Sequence, residues 1–79
     1  MTTVKISLNS IDSVKNFVNT IAKYDGDFDL VSGRYVIDAK SIMGIFSLDL
    51  SKPIELTIHR DEEAEEVLKT LAPYIIWFI

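Results

Sequence analysis

Residues Ala39 to Leu48 read AKSIMGIFSL. Six of these ten are Ala, Ile, Met, Phe or Leu, and a lysine, a glycine and two serines interrupt them. The segment is too apolar for an ordinary loop and too broken for an ordinary core helix. Ser41 has the side chain of an N-cap, so the spacing predicts a short helix beginning at Ile42. At i, i+3 and i+4, Ile42, Ile45 and Phe46 form one stripe. Met43 with Phe46 and Ser47 forms an adjacent one. Both stripes cannot face one core, so one buries and the other stays in solvent. An exposed Met/Phe patch is a candidate surface for docking a partner.

The flanks of this segment set the fold class. Thr3 to Leu8 alternates, with Val4, Ile6 and Leu8 on one side and Thr3, Lys5 and Ser7 on the other, the period of a half-buried strand. Asn9 and Ser10 are both suited to cap a helix. Ile11, Val14, Val18 and Ile21 then recur at helical spacing, with Phe17 and Ala22 beside them, and this amphipathic helix ends near Tyr24. Asp25-Gly26-Asp27 is a turn signal. Phe28 to Val31 and Arg34 to Asp38 read as strands joined by a hairpin about Ser32-Gly33. After the opening segment and the loop 50–53, Ile54, Leu56 and Ile58 alternate with Glu55, Thr57 and His59 in a fourth strand. Asp61 is placed to cap a last helix whose stripe is Ala64, Val67, Leu68 and Leu71. Pro73 ends or kinks that helix. The order β-α-β-β-α-β-α predicts an α+β fold: an open-faced β-sandwich, a four-stranded antiparallel sheet with three helices on one face.

Length and composition narrow the functions. A chain of 79 residues is read as a single domain, 1–79, with one core. Apolar residues make up 48% and charged residues 25%, which argues against disorder. The absence of cysteine excludes disulfides and thiolate metal sites and fits a reducing cytoplasm. The N-terminus has no basic segment followed by an apolar run, so no signal peptide is expected. The longest apolar run, Tyr74 to Ile79 (YIIWFI), is too short for a bilayer, which needs ~20 residues in a helix. It is expected to fold back and close the core, with partner docking or a membrane contact as the alternative. A net charge of −4 without a Lys/Arg cluster makes nucleic acid a poor partner.

Few residues suggest chemistry. His59 is the only histidine. On the polar side of a strand end, it reads as a solvent-facing residue before it reads as a general base or phosphoryl acceptor. The acidic run from Asp61 to Glu66 has helical spacing and lacks an ion-binding loop, so it reads as a solvated helix N-terminus complementing the dipole, not as a metal site. Asp12, Asp25, Asp27 and Asp49 do not converge by any legible spacing. No phosphate loop, nucleophile elbow or Cys/His pair is present. No cofactor, no metal and no enzymatic activity are expected.

Lys40 to Leu48 resembles, without a gap, the regulatory-serine segment of the HPr family, the histidine-containing phosphocarriers of the bacterial sugar phosphotransferase system. Asp29 to Leu48 has that family's strand-pair spacing, Asp61 to Leu71 resembles its final helix, and the order of elements is the family's order. The resemblance implies that Ser41 is a site of regulatory phosphorylation. It also implies that Ile42, Met43 and Phe46 form a docking patch for phosphotransferase-system components, a kinase or a transcriptional regulator. The family's acceptor histidine opens the first helix, in a motif like G-I/L-H-A-R-P-A. This chain has Asn9 to Lys15 there, NSIDSVK. Ser10 or, with a small shift, Asp12 takes the histidine's place, and no arginine or proline accompanies it. An imidazole beside an arginine at a helix N-terminus favours the added charge of phosphate. A serine without a base does not. The expectation is therefore a binding or regulatory module that has lost phosphocarrier chemistry. Two alternatives stand beside it: a working carrier using Asp12, Ser10 or His59, and a role unrelated to the family in which the segment is kept only for folding.

Overall fold

The computed structural model describes residues 1–78. Its strands are β1 (Thr2–Ile6), β2 (Phe28–Ser32), β3 (Tyr35–Asp38), β4 (Ile54–Ile58) and β5 (Ile75–Phe78). Its helices are α1 (Ile11–Ile21), α2 (Ile42–Phe46) and α3 (Asp61–Thr70), and a 3₁₀ turn, Ala72–Tyr74, precedes β5. The sheet runs β3-β2-β4-β1-β5 with every neighbour antiparallel.

The alternation read from the sequence is realised residue by residue. Val4, Ile6, Phe28, Leu30, Ile54, Leu56 and Ile58 are buried on one face. Thr3, Lys5, Asp29, Val31, Glu55 and Thr57, between them, are only half-buried on the other. The three helices cover the first face: Val14, Phe17 and Ile21 from α1, Ile45 from α2, and Ala64 and Val67 from α3 complete the core. No polar or charged residue is buried among the described residues. The β2–β3 turn needs Gly33, whose φ is +58°. Gly33 is the first of two central residues and the second has ordinary φ, the pattern of a type II′ hairpin turn.

The structure corrects the sequence reading in four places. The sheet has five strands, not four. The tail does fold back, but as an edge strand: Val4 pairs with Phe78, Lys5 with Trp77 and Ile6 with Ile75. Ile76 is the extra residue of the bulge between these last pairs and is 47% exposed. Pro73 explains the reversal, because it cannot continue α3, and the 3₁₀ turn around it aims the chain back at β1. The Ser7 amide donates to the Tyr74 carbonyl at 2.9 Å. Phe17 meets Tyr74 edge to face at 6.4 Å and 88°. The side chains of Trp77 and Phe78, and all of Ile79, lie outside the described residues. Second, α1 stops at Ile21, short of Tyr24. Third, Ile11 is not a core residue. It is 62% exposed, and Phe17 takes its place on the buried stripe. Helical periodicity cannot detect that Ile11, at the very start of α1, is left outside the packed core while Val14 in the same turn is buried. Fourth, Arg60 holds the N-cap position of α3, and Asp61 is the first helical residue. Asp61 keeps the dipole role but not the capping one.

A long-range contact fixes α3 to the turn after α1. The Glu63 carboxylate accepts the Gly26 N–H at 3.0 Å and the Asp25 N–H at 3.3 Å. Gly26 is buried here, and a Cβ on it would lie 2.6 Å from Glu63 Oε1 and 2.8 Å from Arg60 Cβ. Only glycine lets the two elements approach this closely.

Candidate docking site

α2 has the two-sided character its sequence requires. Ile45 is fully buried, and Ile42 is half-buried against the core. Met43 is 77% exposed and Phe46 39%. The apolar residues of one five-residue helix thus divide between anchoring and display.

The N-terminus of α2 is built as the sequence predicts. The Ser41 hydroxyl is exposed and accepts the Gly44 N–H at 3.2 Å. Gly44 sits at a tight approach: a Cβ there would lie 3.2 Å from Ser41 Oγ and 3.3 Å from Ile37 Cδ1 on β3, so those side chains would have to give by a few tenths of an ångström. Ser41→Ala removes this cap and is expected to cost about 1 kcal/mol. The midpoint of a urea titration should fall while its slope stays constant.

Lys40, beside the serine, faces away from the display surface. Its ammonium donates to the Tyr24 carbonyl at 2.6 Å and lies 5.5 Å from the centre of the Phe28 ring. Its backbone N–H donates to Asp38 Oδ1 at 2.9 Å. The motif lysine therefore ties α2 to the loop after α1.

The region where the resemblance expects an acceptor lies next to α2. Asn9, Ser10, Ile11, Phe46, Leu50 and Ser51 line an open depression of about 460 Å³. Ser10 caps α1: its Oγ accepts the Ser13 N–H at 3.0 Å and donates to the Ser13 hydroxyl at 2.9 Å. With its proton so engaged and no base against it, the hydroxyl is poorly prepared to attack phosphorus. Asp12 lies exposed in the first turn of α1. Ser51, also lining the depression, donates its hydroxyl to Asp49 at 2.6 Å and its N–H at 3.1 Å. The hydroxyl bond first, then the backbone bond and nearby Lys52, hold the Asp49 carboxyl below its usual range. Ile11 and Leu50 are groove residues that periodicity did not identify, because an apolar residue at helical spacing reads as core. The one usable signal was the position of Ile11 immediately after the cap.

His59 stands elsewhere. Ile6 pairs with Ile54 and Thr2 with Ile58, so Ser10 follows one end of β1 while His59 follows the opposite end of β4. Four strand steps at ~3.3 Å separate those ends. His59 Nε2 lies 2.6 Å from Asp29 Oδ2, a half-exposed pair on the open side of the sheet. Its exposed position is the one expected for the polar side of a strand end. The carboxylates of α3 do not converge, and among the described residues no group of three His, Cys, Asp or Glu side chains could hold a metal ion. No helix among these residues is long and apolar enough to cross a membrane.

A family model described as the HPr component phosphorylation site of the phosphotransferase system matches residues 13–76. The chain belongs to the HPr family. The match begins just after Ser10 and Asp12. Among solved structures, HPr-C-His from Thermoanaerobacter tengcongensis is 30% identical over 92% of this chain and 89% of that one, with a TM-score of 0.76. Phosphocarrier protein HPr from Bacillus anthracis str. Ames is 30% identical over 92% of each chain, with a TM-score of 0.69. The sheet with three helices on one face is the HPr fold. The HPr family is a phosphocarrier family of the phosphotransferase system.

Proposed function

We propose that this HPr-family chain is a regulatory or binding module, not a working phosphocarrier. In this reading it acts in the cytoplasm and docks phosphotransferase-system components, a kinase or a transcriptional regulator through Ile42, Met43 and Phe46. The observation that carries the reading is that Phe46 lines one depression with Ile11 and with a Ser10 hydroxyl already committed to capping α1, while Met43 of the same short helix stands exposed. The apolar display is kept, and the acceptor imidazole beside it is missing. Ser41 is the switch: a phosphate there adds about 1.5–2 negative charges beside an apolar surface, which changes what that surface can bind.

Three experiments test the reading. Incubation with ATP and an HPr kinase should add one phosphate by intact mass, and Ser41→Ala should abolish it. No addition, or phosphate that survives Ser41→Ala, eliminates the switch. Met43→Asp and Phe46→Asp should each weaken binding to that purified kinase by ~30-fold, the effect of losing a docking residue worth ~2 kcal/mol. Unchanged affinity removes the docking surface. Phosphoenolpyruvate with the first enzyme of the system should leave the chain unlabelled. An acid-labile phosphate on Asp12, Ser10 or His59 would restore the carrier reading.

A further inference from the structure

Asp25-Gly26 is the one Asp-Gly or Asn-Gly pair in the chain. Such pairs are chemically labile because glycine offers no side chain to block its own amide nitrogen. In the reaction, that nitrogen loses its proton to solvent and attacks Cγ of the protonated aspartate. An N–Cγ bond forms, the Cγ–OH bond breaks, and water leaves a five-membered succinimide. Water then adds to either carbonyl. Addition at the α-carbonyl routes the main chain through Cβ and Cγ and yields isoaspartate, with no net change in mass.

We propose that Asp25-Gly26 is a latent isoaspartate-forming site that Glu63 holds shut. The Asp25 side chain is exposed, so solvent reaches one reactant freely. The other is guarded. Gly26 is buried, and its N–H donates to Glu63 Oε1 at 3.0 Å. A carboxylate against that N–H opposes the negative charge that the nitrogen must develop to attack. The second Glu63 oxygen takes the Asp25 N–H at 3.3 Å, so both peptide units are tied to one side chain and cannot swing into the ring geometry. The guard is a residue of α3 acting on the turn after α1, 37 and 38 positions away in sequence. Reaction is therefore gated by separation of α3 from that turn. It would also be one-way, because space here is already short: a single added carbon on Gly26 would lie 2.6 Å from Glu63 Oε1 and 2.8 Å from Arg60 Cβ. A main chain lengthened by one carbon cannot re-form the clamp.

The test is ageing of the intact chain at neutral pH and 37 °C, with isoaspartate at residue 25 counted by peptide mapping with isomer-resolving fragmentation. Glu63→Ala should accumulate it about tenfold faster or more, the factor equivalent to one hydrogen bond to a charged group. Glu63→Gln, which keeps an acceptor oxygen without the charge, should fall between. Val67→Ala lowers stability without touching the clamp and separates local release from global unfolding. A Glu63→Ala rate equal to wild type overturns the proposal. So does a slower one, which would make the carboxylate a base for the attack. So does a rate matched by Val67→Ala at equal stability.

Discussion

Ile45→Asp is expected to unfold most of the population at room temperature, whereas Met43→Asp, in the same short helix, leaves the fold intact. Ile45 has no solvent exposure and Met43 is 77% exposed. Removing the Ile45 side chain forfeits about 1.5–3 kcal/mol of apolar burial. The carboxyl that replaces it has no partner in a core free of buried polar groups, which adds several kcal/mol. A domain of 79 residues has roughly 4–12 kcal/mol in total at 0.05–0.15 per residue. The substitution thus consumes most or all of the stability. Met43→Asp, changing only a solvated side chain, should stay within about 0.5 kcal/mol. Far-UV circular dichroism and urea titration of the two variants decide it. A wild-type midpoint for Ile45→Asp would mean that α2 does not anchor through this residue. The contrast also protects the docking experiment, because lost binding in Met43→Asp can then be assigned to the surface.

The second large effect is expected at Phe17. Its ring is fully buried and meets Tyr74 edge to face, so it joins α1 to the turn that launches β5. Phe17→Ala should cost about 3–5 kcal/mol, the range for deleting a large core side chain. The edge-to-face contact contributes about 0.5–1.5 kcal/mol of coupling. At roughly 4–8 °C per kcal/mol for a domain this small, Tm should drop by more than about 12 °C. The pairing predicts non-additivity as well: Tyr74→Ala should cost less in the Phe17→Ala background than alone. Additive costs would show that the two rings do not support one another.

Much of this architecture was legible because secondary structure is written in short-range periods. Val4, Ile6, Ile54, Leu56 and Ile58 declared a half-buried sheet by alternation, and Val14, Phe17, Ala64 and Val67 declared helices by spacing. Ser41 and Ser10 were readable as caps because capping joins residues three apart. Ile11 misled for a physical reason: periodicity reports which face of a helix a residue occupies, not whether packed neighbours reach that end of the helix. The YIIWFI tail was readable as apolar and returning, but not as a fifth strand. Its partner is β1, some seventy residues earlier, and the local pattern of a short apolar run does not distinguish a strand from a plug.

By itself the sequence determined the kinds and order of elements up to α3, most of the residues facing the core, the short serine-capped helix with more apolar residues than one face can bury, and the missing imidazole near Ser10. Each of these comes from backbone geometry acting over a few residues or from which side chains exist at all. Only the tertiary structure decided that Ile11 and Leu50 join Phe46 around one depression, that Lys40 turns to Tyr24, that His59 stands at the far end of the sheet from Ser10, and that Glu63 closes over Asp25-Gly26. Those are through-space approaches between distant segments. Their cause is how helices settle on a twisted sheet to bury the most apolar surface without a clash, and that is a property of the whole packed chain.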